Sequence, residues 1–274
     1  MAAIAVEDET STASIRAFEV ICSFPDGISE SELKVNCRRQ NDRQQSTSDN
    51  ESNIDAIWKD RTSSNSSLFN GTKFRFKNVQ VHNTSLPPML NLGVTDYKSF
   101  LGTNCAPNWQ QLDPSNMASP LGNAAIVETE DERVVLLKRS GNVGEAPHTV
   151  VMPGGHPEPE MVGIRTIDDW KKKERNADSE DGGFNDDICG ELWDSMVREV
   201  VEETGIPREA LGEALCIGFT RRVQNYRPDI IFFIKCTLSS DEVHRLYAEG
   251  PEHKSESTDL ITMDRVEFMK QVIK

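Results

Sequence analysis

The chain is short of positive charge. It has 30 lysines and arginines against 45 aspartates and glutamates, for a formal net charge of −15. A surface of that sign repels nucleic acid and anionic membranes, so neither is an expected partner. A small anionic substrate is compatible with it only where cations are concentrated locally or a metal neutralises the site. The six cysteines include no pair at C-x-x-C spacing, which argues against a zinc site or a redox motif. A chain of 274 residues does not need disulfides. Reduced, mostly buried thiols are expected, with Cys189, in a polar stretch, at the surface. No apolar run is long enough to span a bilayer, and no basic segment precedes an apolar one near the start. Neither a transmembrane helix nor a secretory leader is expected, and a cytosolic location follows by default.

What remains is globular. Hydrophobic residues make up 36% of the chain, enough for a sizeable core in one large domain or two modest ones. Residues 1–14 read as frayed, and 15–24 as a strand closed by a Pro25-Asp26-Gly27 turn. The polar run 40–53 reads as a solvated loop. A short helix begins at 54–58. Apolar alternation around Phe74 and Phe76 predicts a strand within 68–81, and 97–104 predicts a short helix stopped by Gly102. Beyond residue 120 the texture changes. Strands are expected at 124–127 and 134–139, joined across 130–132, and again at 217–222 and 229–236. Helices are expected at 192–204, closed by Gly205 and Pro207, and at 239–248. Residues 161–186 are polar with few apolar anchors and predict a loosely packed insertion. Hairpins, helices and strands in this order indicate a mixed sheet covered by helices. The expected division is a smaller N-terminal α/β domain over 1–117 and a second domain over 118–274.

The chemistry concentrates in Arg198-Glu199-Val200-Val201-Glu202-Glu203-Thr204-Gly205-Ile206. On a helix, Leu192, Trp193, Met196, Val197, Val200 and Val201 face the core, while Glu199, Glu202 and Glu203 share an adjoining arc at i, i+3, i+4. Like charges at that spacing repel, and a hard divalent cation turns the repulsion into attraction, because Mg²⁺ takes oxygen ligands. Taken alone, three glutamates on one face more often mean a solvated surface. Upstream, an apolar run leads into Pro153-Gly154-Gly155-His156-Pro157-Glu158-Pro159, where paired glycines permit a tight turn and a close approach of backbone to phosphate or metal. Arg221 and Arg222 also invite an anion, but adjacent strand residues point to opposite faces, so at most one serves.

Together these segments resemble the Nudix box, G-x₅-E-x₇-R-E-U-x-E-E-x-G-U, with U bulky and aliphatic. The second half matches from Arg198 to Ile206. The first half departs from it: Arg198 stands 43 rather than 14 residues after Gly155, which is 29 more, and Glu191 is one position late for the box glutamate. Further segments are similar to the Nudix UDP-glucose diphosphatases of animals and plants: Leu68-Phe69, Lys73-Phe74-Arg75, Tyr97 with residues 100–104, Lys138-Arg139-Ser140, Glu145-Ala146-Pro147, Gly250-Pro251-Glu252 and Glu256-Ser257-Thr258. Those relatives also carry an expanded, irregular box.

The resemblance implies a Nudix α/β/α sandwich with a mixed sheet, preceded by the smaller domain. It implies hydrolysis of a nucleotide sugar of the UDP-glucose or UDP-galactose type to a nucleoside monophosphate and a sugar 1-phosphate. Mg²⁺ is the implied cofactor, with Mn²⁺ as substitute. Glu199 and Glu203 would bind the metal and Glu202 would assist, with Arg198 holding Glu202 in place. Phe69 and Tyr97, which by residue type alone read as core aromatics, would line the nucleoside side. Arg139, His156 and Glu158 would contact the diphosphate or sugar, and Ser257 the far rim. An aspartate is expected before the Gly-Gly run, where this chain has Val151, so residue 151 bears on base or sugar choice. GDP-mannose, ADP-ribose or another nucleoside diphosphate derivative is the alternative substrate, and a non-catalytic nucleotide-sugar binder the alternative class.

Overall fold

The computed structural model describes residues 3–4, 18–82, 86–140, 149–177, 182–253 and 257–272. Most of 1–14, residues 15–17, Glu145-Ala146-Pro147, residues 178–181 of the expected insertion and Glu256 lie outside the described residues. The strands are β1 (Ala3–Ile4), β2 (Phe18–Ile28), β3 (Lys34–Cys37), β4 (Thr72–Gln80), β5 (Met89–Asp96), β6 (Gly122–Glu128), β7 (Arg133–Arg139), β8 (Val150–Val151), β9 (Leu215–Arg222), β10 (Pro228–Lys235) and β11 (Ser257–Asp264). The helices are α1 (Ser48–Ser64), α2 (Tyr97–Gly102), α3 (Ile167–Ala177), α4 (Gly182–Thr204), α5 (Ser240–Glu249) and α6 (Arg265–Val272).

The larger sheet runs β1-β8-β7-β6-β10-β9-β2, with β11 also paired to β7. At its centre β6 and β10 are parallel, with Ala124 opposite Ile231 and Val127 opposite Ile234. Strands buried on both faces are apolar throughout rather than alternating, as in Ile230-Ile231-Phe232. Neighbouring residues of one strand reach opposite cores. Ala125, Val127, Val135 and Leu137 join α4 and α5 in the main core, while Ala124, Val134 and Leu136 join Phe268 of α6 on the other face. Helices therefore cover both sides of a mixed sheet, as the sequence predicts. A second sheet, β3-β5-β4, adds Val35, Phe74, Leu90 and Leu92 to the main core. The buried Arg75 ties it to the chain ahead of β6, donating to the carbonyls of Asn41, Met117, Pro114 and Ser115.

Several sequence expectations give way. The polar run 40–53 is half helix: α1 starts at Ser48, its N-cap Thr47 accepts from the Asn50 N–H, and Asp49 and Glu51 sit in its first turn. Capping residues and first-turn acids are polar, so composition alone reads them as loop. Pro25-Asp26-Gly27 lies within β2, where the pairing with β9 shifts between Ser23 and Ile28, and β2 belongs to the larger sheet. α4 begins ten residues earlier than expected, which carries Cys189 onto its buried face.

The stretch 161–186 is not a loose loop where it is described. Ile164 is buried, and α3 seats Trp170 at 1% exposure. The Trp170 indole N–H donates to the Asp42 carboxylate and its ring stacks on Phe184 at 6.3 Å. Thr72 donates to the Ile164 carbonyl at 2.8 Å. A few well-placed apolar residues suffice to anchor a polar segment, which average composition hides. Trp170→Ala is expected to cost about 3–5 kcal/mol of stability, measured by urea unfolding. A change under about 0.5 kcal/mol, the scale of an ordinary surface substitution, would mean the segment is not anchored there.

Candidate active site

Between the two sheets opens a cleft of about 480 Å³. One wall is aromatic. The Asp96 carboxylate accepts from the Ser99 N–H and caps α2, and Asn70 bonds both Asp96 and the Lys98 N–H. The Tyr97 N–H donates to the Gly71 carbonyl. These bonds fasten 69–71 to the start of α2, so Phe69 and Tyr97 share the mouth of the cleft. Tyr97 is backed by Trp58, edge-on at 6.4 Å. Phe69 is 79% exposed. An aromatic left in water at a cleft mouth is a ready stacking surface, so neither ring is simply a core aromatic.

The opposite wall is the glutamate helix. Residues 153–155 run beside β6, with the Ala125 N–H donating to the Pro153 carbonyl and the Asn123 N–H to that of Gly155. The Gly155 N–H donates to Asn123 Oδ1 at 2.7 Å, and Asn123 Nδ2 donates to Ser195 Oγ on α4 at 2.9 Å. The Gly154 N–H donates to Glu203 Oε2 at 2.8 Å. A Cβ on Gly154 would stand 2.3 Å from the Asn123 carbonyl oxygen, and one on Gly155 1.9 Å from Glu199 Oε1. The two glycines are therefore what lets the loop lie on the carboxylates. Gly155→Ala meets only a mobile carboxylate, so it is expected to displace Glu199 and cut turnover at least about tenfold, by the cost of a misplaced catalytic group, with little change in Tm. Gly154→Ala strikes backbone and is expected to lower Tm as well. Wild-type turnover in Gly155→Ala would show that Glu199 need not sit there.

Glu199 lines the cleft, and Glu203 lies behind it at 3% exposure. The Glu202 carboxylate stands 3.7 Å from His253 Nδ1. Glu199, Glu202 and His253 offer donor atoms that all lie within 4.8 Å of one another. The sequence reading has Arg198 holding Glu202; the ion pair it makes is instead with Glu191, donating to Oε1 at 3.0 Å, with Glu202 a nearby charge. Glu191 is buried and also accepts from the Glu158 N–H. The glutamate that stands one position late thus joins the glycine loop to the helix, a task that tolerates the offset. Burial opposes the charge on Arg198, yet the hydrogen bond and charge of Glu191, with Glu158 and Glu202 nearby, hold its pKa above the ordinary arginine value.

Cations gather here in an acidic chain. Lys73, Arg139, Arg222 and Arg227 all line the cleft. Burial pulls the Lys73 ammonium below its usual pKa, while Glu158 and Glu199 hold it up. Arg227 pairs with Asp229 at 2.9 Å. Arg222 faces the cleft, whereas Arg221 turns away to Glu19 and lies over the Tyr226 ring, as strand alternation requires. Glu158 lines the cleft beside His156. Burial, with Lys73, Arg222 and Arg139 adding positive potential against Asp229, pushes the His156 imidazole down to about 3. His156 is therefore neutral when folded. Between pH 3 and 6.5 the unfolded chain binds a proton that the folded one refuses, so stability falls as pH drops through that window. Measured by denaturation at pH 4–6, His156→Gln should flatten the slope by up to about 1.4 kcal/mol per pH unit; an unchanged slope would mean that His156 charges normally.

Two expected site residues lie elsewhere. Ser257 is buried on β11 opposite Arg139 in register, with its hydroxyl 2.7 Å from that of Tyr247, and it does not line the cleft. Val151, 1% exposed, pairs with Leu137, packs in the main core and does not line the cleft. Lys73 stood in a quoted motif without a role. Arg227 and His253 were missed, since each falls in a connecting segment without periodicity.

No family model matches the chain. It is 38% identical to Nudix hydrolase 9 of Arabidopsis thaliana, across 92% of this chain and 85% of that protein. The chain belongs to the Nudix hydrolase family. As a Nudix enzyme it is a diphosphatase. It is also 31% identical to uridine diphosphate glucose pyrophosphatase NUDT22 of Bos taurus, across 88% of this chain and 84% of that one. Among solved structures, a Caenorhabditis elegans Ap4A hydrolase binary complex overlaps 56% of this chain and 86% of its own, at 14% identity and a TM-score of 0.31; Nudix membership rests on the sequence relatives. Among the described residues, no helix is long and apolar enough to cross a membrane.

Proposed function

We propose that this Nudix hydrolase cleaves the diphosphate of a UDP-hexose to UMP and a sugar 1-phosphate. The observation that carries the reading is a single cleft in which an exposed aromatic, four cations and the helix carboxylates converge. The name of the bovine relative supports the substrate class. The donor set fits a hard divalent cation, because Glu199, Glu202 and Glu203 crowd carboxylates onto one helix face without an equal number of cations on that helix. Glu199 and Glu203 would hold it, with Mg²⁺ as the ion and Mn²⁺ as substitute. When bound, it would neutralise phosphate oxygens and polarise phosphorus.

The chain's own residues do the rest. Phe69 and Tyr97 stack the base, which contributes about 1–3 kcal/mol without choosing among bases. Lys73, Arg139, Arg222 and Arg227 offset the charge of the diphosphate, and neutral His156 adds a hydrogen bond without adding charge. Glu158 contacts the sugar. Glu199 or Glu202 orients and deprotonates the attacking water, and Arg198 keeps the helix and glycine loop in register through Glu191. The test is a panel of UDP-glucose, UDP-galactose, GDP-mannose, ADP-ribose and nucleoside triphosphates, read by released phosphomonoester with Mg²⁺ and with EDTA. The expected order places UDP-hexoses first and abolishes turnover in EDTA. Preference for a triphosphate over every nucleotide sugar would overturn the substrate class, and binding without turnover would favour the non-catalytic reading.

A further inference from the structure

We infer that His253 is a metal ligand, giving the site a mixed nitrogen and oxygen donor set through Glu199, Glu202 and His253. The inference rests on the reading that the α4 glutamates hold a divalent cation. It goes beyond that reading by bringing in a residue from outside the helix and its box.

Three observations carry it. The donor atoms of Glu199, Glu202 and His253 lie within 4.8 Å of one another. With metal–ligand distances of about 2.0–2.2 Å, opposite donors stand roughly 4 Å apart, so small side-chain rotations close the set. His253 is also placed by backbone: its N–H donates to the Glu202 carbonyl at 2.9 Å, which pins the chain after α5 onto the last turn of α4. The imidazole borders the cleft and keeps 39% of its side-chain surface in water. At 3.7 Å it is too far from the Glu202 carboxylate for a hydrogen bond, so its ring nitrogens are not committed to that partner. Glu199 belongs to this set and to the pair named above, so the nitrogen stands at the same metal site.

The chemistry follows from the donors. Imidazole suits Zn²⁺ and the later transition ions best and Mn²⁺ less well, whereas Mg²⁺ keeps to oxygen and water. His253 would therefore make the site discriminate among divalent ions, with transition ions engaging the imidazole beside the carboxylates and Mg²⁺ only the carboxylates.

The experiment is Mn²⁺ binding to the full chain followed by pulsed EPR, with Mg²⁺ affinity obtained by competition. Wild type is expected to show nitrogen modulation from a bound imidazole, and His253→Ala to lose it. The variant distinguishes His253 from His156, the other cleft imidazole. Partners one shell outside a metal are worth about 10–100-fold in affinity, so Mn²⁺ is expected to weaken at least about tenfold in His253→Ala, and Mg²⁺ less than about twofold. Mn²⁺ bound without nitrogen coupling, or equal Mn²⁺ affinity in the variant, would remove His253 and leave the glutamate reading standing. Equal weakening of both ions would mean that His253 only supports the fold of the site, again against the inference. No Mn²⁺ bound to wild type would overturn the glutamate reading itself.

Discussion

Glu203→Gln is expected to lower kcat on a nucleotide sugar on the order of a thousandfold, the scale of several kcal/mol in barrier that a metal-bound carboxylate contributes. The substitution is selective. Glu203 is 3% exposed and accepts the Gly154 N–H at 2.8 Å. Glutamine keeps an oxygen to accept that bond, so the glycine loop stays seated and Tm should move little. Glu203→Ala removes the acceptor as well, and an orphaned buried N–H costs about 1–3 kcal/mol, so that variant should lose both turnover and stability. Steady-state kinetics beside thermal unfolding separates the two. Near-wild-type kcat in a folded Glu203→Gln protein would remove Glu203 from the metal site.

Val151→Asp is expected to have the largest effect on stability. Its side chain, 1% exposed, packs in the main core, on a two-residue strand between β7 and β1. A carboxylate there is taken out of water among the apolar side chains of the main core. It either ionises at a cost or takes up a proton, and a loss of about 4 kcal/mol or more belongs to this class of change. Urea unfolding measures it. A stable Val151→Asp protein with an altered ratio of UDP-glucose to GDP-mannose turnover would show that residue 151 faces the ligand, against its placement in the core.

What could be read in advance follows from how local the cause is. Helix α4 was legible because Leu192, Trp193, Met196, Val197 and Val200 recur at helical spacing beside three glutamates, and the central strands were legible as unbroken apolar runs. β11 and β3 were not, since Ser257–Asp264 is mixed in polarity, Lys34–Cys37 is only four residues long, and both are held by partners distant in sequence. α3 was hidden because one tryptophan, rather than a periodic stripe, anchors it. The same division runs through the site. The carboxylates and glycines form a contiguous pattern, whereas Arg227 and His253 reach the cleft only because β10 lies parallel to β6 and the chain after α5 folds back on Glu202. Arg222 was half legible: alternation allows at most one of the two arginines to serve, and the fold puts Arg222 rather than Arg221 in the cleft lining. Ser257 and Val151 show the reverse. The resemblance named them, and both are buried and outside the cleft lining, Ser257 bonded to Tyr247 and Val151 in the main core.

The most direct measurement of the central claim is hydrolysis of UDP-glucose with Mg²⁺ in ¹⁸O-labelled water, with products followed by ³¹P NMR. Cleavage of the diphosphate predicts UMP and glucose 1-phosphate, with ¹⁸O bonded to the phosphorus of one of them. UDP and free glucose, with no label on phosphorus, would contradict it.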